Sequence, residues 1–598
     1  MLLKKIYQKV FFILNCQYSR VRAFFFNPYI DKKGSTFKKQ MNIDVINNIT
    51  CDFDVFNKTI TLDNPLWDKD FIHDVKWEKK WHKVLPYKKR GRSDVKVPWE
   101  FGRGSVFTQS ALISCSDYTT IGNYKSLVYS FYKNNIAGYG VQWQCTMDVS
   151  IRLVNILVSK MMLNQFTKVD DQCFEKTIGI TIREHFKFIS SNLEVFNGSL
   201  KNNHYLADIL GKVWYFCYVE EDEAQLIKLL DEMDVEYRSQ YLKDGSNFEG
   251  SISYHFLSTE IFILTLLPII DFYKSKQKPF THPSLITILV NAINFANFAT
   301  SSLGFPSRIG DDDSGVVIRP VKLSNIAINK KNQYITINRL NAFNSFLKFY
   351  YEQSNVNYTQ EIVGTLLGLK EISFNKVIKQ KTYDDFGLYK YEKSGFELFF
   401  RHLKELGTKG LGGHNHQDDT SFELFFEGFP YIVDPGTYCY TSEPIKRNQY
   451  RSSFKHNLVK VNDNEQFDML EGQKGLFKLD NRPNTRSDFK KGANKDSITT
   501  NRMGLDITRT IDKKTLSIID FIDTENGVAR FHLHPSLKVI KNDKGVVVNK
   551  VQLIFESQYP LVININKYYY SDYYLNEEKA SVIEVLFHRE LITCFERV

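Results

Sequence analysis

Eight cysteines stand far apart in the chain, at Cys16, Cys51, Cys115, Cys145, Cys173, Cys217, Cys439 and Cys594, and no two form a CxxC pair. This excludes a thiolate zinc knuckle and implies no dense disulfide framework; the residues fit reduced, buried thiols. No stretch of ~20 uninterrupted apolar residues occurs, so no membrane span is expected. The N-terminal run Met1 to Cys16 carries two early lysines, Lys4 and Lys5, but its apolar part, Val10 to Leu14, is short and no small-residue cleavage site follows. It reads as an amphipathic helix rather than a signal peptide, which makes a cytoplasmic location the expectation and a periplasmic one the alternative. There is no zinc finger or stacked-aromatic strand motif for nucleic acid, no fixed-period repeat and no low-complexity tract. No tryptophan lies beyond Trp214.

The chain has 598 residues, more than one core of ~250–300 residues accommodates, so two large domains are expected. Net charge is +10. A basic surface concentrates anionic partners, although Lys and Arg are spread too evenly here to choose among nucleic acid, membrane and acidic polysaccharide. Aromatics make up 14% of the residues, with 47 Phe and 33 Tyr, a content that suits stacking on sugar rings but also follows from compositional bias.

Residues 1–94 read as a mixed N-terminal extension. From 95 to 384 the pattern is helical: Val149, Leu153, Ile156 and Leu157 recur at helical spacing, as do Leu206, Ile209, Leu210 and Val213. Phe256 to Ile270 is apolar nearly all round and predicts a buried helix. Successive helices over so long a stretch suggest an array of helical hairpins. From 385 to 598 the composition turns to strands, as in Phe396–Phe400, Leu458–Val461 and Leu516–Ile519, punctuated by turns such as Asn462-Asp463-Asn464 and Asn542–Gly545. This part reads as an antiparallel β-sandwich.

The sharpest segment is Gly412-Gly413-His414-Asn415-His416-Gln417-Asp418-Asp419-Thr420-Ser421-Phe422-Glu423-Leu424, followed by Val433-Asp434-Pro435-Gly436-Thr437-Tyr438 and Arg451-Ser452-Ser453-Phe454-Lys455-His456-Asn457. In extended chain, residues i and i+2 face one side, so His414 and His416 can share a site. Two imidazoles and a carboxylate, with a position left for water or substrate, suit Zn²⁺. An isolated HxH is weak, since paired histidines often serve core hydrogen bonds.

Together these segments resemble the heparinase II/III-like lyases, whose pattern is GHxHxDxxSFEL, then VDPGTY, then RSxxxHN. The resemblance continues through Val141-Gln142-Trp143 and Met147–Arg152, Asn202-Asn203-His204, Asp244–Glu249 with Tyr254-His255, Ile309–Gly315, and Phe531–Pro535, covering roughly residues 95–540. One departure is Gln142, where the family often has Asn.

The resemblance implies an incomplete (α/α) toroid followed by a β-sandwich, with a cleft between them, and β-elimination on uronic-acid glycans. It assigns catalytic roles to Asn203 and His204, which would neutralise the substrate carboxylate, and to Tyr254 and His414 as proton-transfer groups. Which of the last two is the base depends on the substrate epimer. His416, Asp434 and His456 are implied as ligands of a metal, expected to be a structural Zn²⁺. Gln142, Arg152, Glu249 and Tyr450 are assigned to the substrate, with Tyr450 also a candidate auxiliary proton-transfer group. The alternative for Asn203 is a helix N-cap, and for Arg152 a structural ion pair. Asp311, Asp312 and Asp313 read as a loop at the cleft rim or a set of helix caps, with too few alternating oxygens for Ca²⁺.

The expected activity is a polysaccharide lyase acting on an acidic polysaccharide or oligosaccharide, such as a capsular polysaccharide or exopolysaccharide. Nucleic acid is not an expected partner, and a homodimer is an open option. A glycoside hydrolase on the same scaffold would need two flanking carboxylates, and a non-catalytic glycan-binding or assembly protein would have no need of the Asn203, His204, Tyr254 and His414 set.

Overall fold

The computed structural model describes residues 53–598 except 57, 63–64, 90, 167–170, 197–200, 322, 370–381, 404–412, 463–464, 467–475, 478–485, 503–504 and 524–525. The N-terminal amphipathic helix, Cys16, Cys51, Gly412 and the turn at Asp463-Asn464 lie outside the described residues.

Helices run from Lys96–Gly102 to Tyr358–Leu366. Their packing is between alternate helices: Ser105–Ser116 against Thr146–Phe166, that helix against Asn203–Tyr215, and that in turn against Ile252–Ser275. The intervening helices Ile121–Asn134 and Gln172–Ser191 pack on each other outside this row, as do Glu223–Gln240 and Pro283–Phe298. Two concentric layers of this kind are a toroid of helical hairpins.

The layers follow from the sequence. Gln172–Ser191 has a polar outer face and buries Phe174, Ile178, Ile182, Phe188 and Ile189, whereas the inner Ile252–Ser275 is buried on nearly every side. Each Leu, Ile or Phe so buried contributes about 1.5–3 kcal/mol. Ile252–Ser275 is long and apolar enough to cross a membrane, but here it is the core helix of the ring. The segment expected as an N-terminal extension joins the same core through Phe53, Val55, Phe56 and Trp67.

From Thr382 onward all paired strands are antiparallel. A five-stranded meander, Thr382–Tyr383 to Phe429–Ile432, is linked to a four-stranded sheet by the bridge between Ile432 and Leu533. An eight-stranded sheet faces them. Phe396, Leu398, Phe422 and Leu424 from the meander, Phe531 and Ile583 from the four-stranded sheet, and Ile498, Ile507 and Ile518 from the eight-stranded one share a second core. The expected toroid-plus-sandwich order is therefore present.

The halves meet along the loop after Pro283–Phe298. Ser302 binds Glu397, and the backbone N–H of Arg308 donates to Glu423. The Arg308 guanidinium donates to the carbonyl of Ser571. Glu423 is buried among these partners and its carboxyl is pushed up to about 7 by burial and by the nearby Asp434 charge.

Candidate active site and metal centre

Tyr254 owes its position to a helix cap. Ser251 caps Ile252–Ser275, its Oγ accepting from the Tyr254 backbone N–H, and the same hydroxyl donates to the Asp311 carbonyl at 2.6 Å. The helix start is thus tied to the loop carrying Asp311. That loop is bound in turn to the sandwich, since the Asp311 N–H donates to the His414 carbonyl at 2.9 Å. Two glycines permit this approach. Gly310 (φ +76°) and Gly250 (φ +77°) have left-handed backbone; a Cβ at Gly310 would lie 2.8 Å from the His414 carbonyl oxygen, and one at Gly250 1.9 Å from Asn415 Oδ1.

Asp311 is the hub. It is fully buried and accepts two hydrogen bonds of 2.7 Å from the Arg447 guanidinium, one of 3.0 Å from His414 Nδ1 and one of 3.0 Å from His416 Nε2. Burial alone would raise its carboxyl, but the Arg447 charge and these hydrogen bonds outweigh it and hold Asp311 ionised, well below the usual carboxylate range. An ionised carboxylate only accepts, so both histidines must be the donors. This fixes the neutral His414 with its lone pair on Nε2 and the neutral His416 with its lone pair on Nδ1. The expected cleft-rim or capping role for the Asp311–Asp313 turn is corrected accordingly. Asp311 is the internal counter-charge joining the two halves.

The His414 ring stacks on Tyr254 with centroids 3.7 Å apart, and its Nε2 lies 3.6 Å from Glu249. The Tyr254 hydroxyl is 3.1 Å from that of Tyr440. Burial raises the Tyr254 phenol well above its ordinary range, and the charges of Asp313, Asp311 and Glu249 raise it further.

Glu249 accepts from the Asn203 backbone N–H at 3.1 Å and from its side-chain Nδ2 at 2.9 and 2.8 Å. Asn203, Glu249, His414 and Tyr254 are thus one contiguous group, with the Asn203 amide hydrogens directed to Glu249. The N-cap of Asn203–Tyr215 is Asn202, which accepts from the His204 N–H, so Asn203 is free of that duty. His204 is partly exposed, and its Nδ1 is 2.9 Å from Glu194. Burial lowers its pKa, but the charge and hydrogen bond of Glu194 prevail and raise it above the ordinary imidazole value.

Three assignments are corrected. Gln142 is buried beneath the ring and donates to the carbonyls of Trp67 (2.5 Å) and Pro98 (2.6 Å). Its amide occupies the space that a Cβ at Gly102 would need. Arg152 is likewise buried, donating to the carbonyls of Gly102 and Gln142 and to His185, and sandwiched against Phe131 and Trp143. Both residues hold the toroid wall together and neither faces a substrate. Tyr450 donates to Glu577 at 2.6 Å and stacks on Tyr438, which turns it away from His414.

Tyr440 and Arg447, which do reach the site, went unassigned from the sequence. Arg447 lies four residues before Arg451 on the helix Pro444–Arg451, wedged between Tyr440 and Phe477.

Behind Asp311, ligand atoms of His416, Asp434 and His456 come within 4.8 Å of one another, all buried. His456 Nδ1 donates to Asp434 at 2.6 Å, leaving Nε2 without a partner; His416 Nδ1 is also unpartnered. Two orphaned imidazole nitrogens beside a carboxylate held ionised are a donor set that fits a d-block cation. Buried Asp418 lies next to it, its carboxyl pushed up by burial and its Oδ1 3.7 Å from Arg401 Nε.

Comparison with known proteins bears on the fold. Residues 377–594 match the family described as "Heparinase II/III-like, C-terminal". Over those residues the chain is similar to the C-terminal domain of that family. No curated protein matches the sequence. Among solved structures, one titled "Crystal Structure of Heparinase III" aligns with TM-score 0.62 at 13% identity, over 93% of this chain and 88% of that one. A heparan sulfate lyase HepC mutant from Pedobacter heparinus aligns with TM-score 0.54 at 14% identity, over 98% and 88%. At these identities the likeness establishes that the chain shares their fold from helical half to sandwich.

Proposed function

We propose that the chain is a polysaccharide lyase that cleaves an acidic, uronate-containing glycan by β-elimination. The observation that carries this reading is the stacked His414–Tyr254 pair, one member set up as a base and the other as an acid. His414 donates Nδ1–H to ionised Asp311, so Nε2 is available to accept a proton. Tyr254 keeps its phenol proton because burial and three carboxylates oppose its loss. His414 would take the C5 proton, the C4–O4 bond would break as the C4–C5 double bond forms, and Tyr254 would protonate the departing O4. Tyr440, in contact with the Tyr254 hydroxyl, is suited to return that proton. His204, whose neighbour Glu194 favours its charged form, would balance the substrate carboxylate as negative charge builds up beside C5. Asn203 would join it only if the substrate displaces Glu249 from its amide.

His416, Asp434 and His456 would hold a cation, for which Zn²⁺ is proposed. Bound there, it would pin the strand ends that present His414 and add positive charge behind Asp311. A capsular polysaccharide or exopolysaccharide handled in the cytoplasm is the proposed setting, and fractionation of a tagged chain tests it. Recovery outside the inner membrane would count against it.

The hydrolase alternative is less well supported, because Asp311 is occupied by Arg447 and Glu249 by Asn203, so these two do not form the free pair of carboxylates across a bond that it needs. The test is ultraviolet absorbance of the unsaturated uronide as the protein meets heparan sulfate, hyaluronan, chondroitin and alginate. Absorbance that rises and is abolished in Tyr254→Phe supports the lyase. New reducing ends without absorbance would overturn it, and binding without either product would favour an assembly protein.

A further inference from the structure

A second cluster of metal-binding side chains lies in the toroid, away from His416, Asp434 and His456. Cys145 precedes the helix Thr146–Phe166, Glu194 follows Gln172–Ser191, and His204 opens Asn203–Tyr215. Three consecutive inner and outer helices thus deliver one sulfur, one oxygen and one nitrogen to a single point. The distances are 2.9 Å between His204 Nδ1 and Glu194 Oε2, 3.7 Å between Cys145 Sγ and His204 Nδ1, and 3.8 Å between Cys145 Sγ and Glu194 Oε2. A tetrahedral Zn²⁺ with bonds of about 2.0–2.3 Å places its ligand atoms about 3.3–3.6 Å apart. The observed triangle needs adjustments of only a few tenths of an ångström to meet that geometry.

Two further carboxyls lie beside the triad. Asp208 accepts from the Glu194 N–H, and its other oxygen is buried without a partner, as is one oxygen of Asp148. Asp148, paired with Arg103 at 2.6 Å, adds negative charge beside His204, whereas burial pushes the Asp208 carboxyl well above the usual carboxylate range. Cys145 is buried, while Glu194 and His204 are partly exposed.

We propose that Cys145, Glu194 and His204 form a second metal site, for a Zn²⁺-like borderline cation, with its fourth position open to the cleft for water or a carboxylate oxygen. Loading releases the Cys145 thiol proton, and the cation takes the place of the proton His204 Nδ1 shares with Glu194. His204 Nε2–H remains available in either state, so the site does not depend on the lyase reading and is tested without turnover.

The test is a cobalt titration of the full chain stripped of metal. Co²⁺ bound to a thiolate gives a charge-transfer band, and the His416, Asp434 and His456 cluster contains no sulfur. The expected result is a thiolate band saturating at one equivalent, retained in His456→Ala and absent in Cys145→Ser, with the serine variant still binding the other equivalent. No band in the native chain, or a band that survives Cys145→Ser, overturns the proposal. If the serine variant fails to fold, Glu194→Gln keeps the sulfur and should raise the band's titration midpoint at least tenfold. An unchanged midpoint would equally overturn it.

Discussion

Replacing Asp311 with asparagine keeps the shape of the side chain and removes its charge. Four hydrogen bonds converge on the carboxylate, two from Arg447 at 2.7 Å and one from each histidine at 3.0 Å. Asparagine offers one acceptor oxygen, and its NH₂ would face a donor. Unit charges ~3.5 Å apart at an effective dielectric of ~20 interact by ~5 kcal/mol. Breaking a buried pair by removing one partner costs about 3–5 kcal/mol, because the survivor stays buried and uncompensated. Asp311→Asn should therefore destabilise the protein by about 3–5 kcal/mol in urea. All six tryptophans precede residue 215, so their fluorescence follows the helical half, while far-ultraviolet dichroism follows both halves. Adding Arg447→Gln should recover part of the loss, because the stranded guanidinium is gone. Turnover should fall on the order of 10³–10⁴-fold, the scale seen when a histidine base loses its orienting carboxylate, and the second substitution should not restore it. A single variant that loses less than ~1 kcal/mol and keeps activity within about threefold would refute this account of the hub.

Tyr254→Phe retains the ring stacked on His414 and should fold normally while losing about 10²–10⁴-fold in turnover, read as unsaturated uronide. Tyr440→Phe should lose less, about tenfold, since a hydroxyl that only passes a proton onward can be replaced by water. Stability should also fall in acid. Burial holds His255 down to about 3, with Nε2–H donated to the Ala292 carbonyl and Nδ1 accepting from Asn247. Below the ordinary imidazole value of 6.5 the unfolded chain binds a proton that the folded chain refuses, so stability drops as pH falls from 6.5 and levels off below about 3. His255→Gln should flatten that slope by about 1.4 kcal/mol per pH unit in urea titrations. Chelation should lower the melting temperature of the native chain and have less effect on His456→Ala; equal shifts would count against a bound cation at that cluster.

Much of this architecture was legible in the sequence because it is written in local patterns. Helical periodicity marked the inner and outer helices, and the apolar Phe256–Ile270 run marked the innermost one. His414 and His416 were readable as a pair because two-residue spacing in extended chain fixes their faces. Asp311 was misread because its partners are 103, 105 and 136 residues away, and no local pattern encodes a contact across two domains. Gln142 and Arg152 were misplaced for the opposite reason. They lie in a segment that resembles a lyase family, but what the segment supplies here is a polar seam under the ring, fitted against a glycine that leaves room for an amide. Tyr440 is one tyrosine among 33 and carries no spacing signal. Only the fold brings its hydroxyl to Tyr254.

The long reach of Asp311 also bears on how the chain is made. Arg447 follows it by 136 residues, and at about 5–20 residues per second the ribosome takes on the order of ten seconds to deliver the guanidinium. During that interval the helical half carries a carboxylate destined for a dry interior with no cation to meet it. The nascent toroid would keep this loop hydrated, and the surface that receives the sandwich would close only after the helix Pro444–Arg451 emerges. Translation order would then act as a safety catch, with His414, Tyr254 and the Asp311 counter-charge coming into register only after both halves have been synthesised.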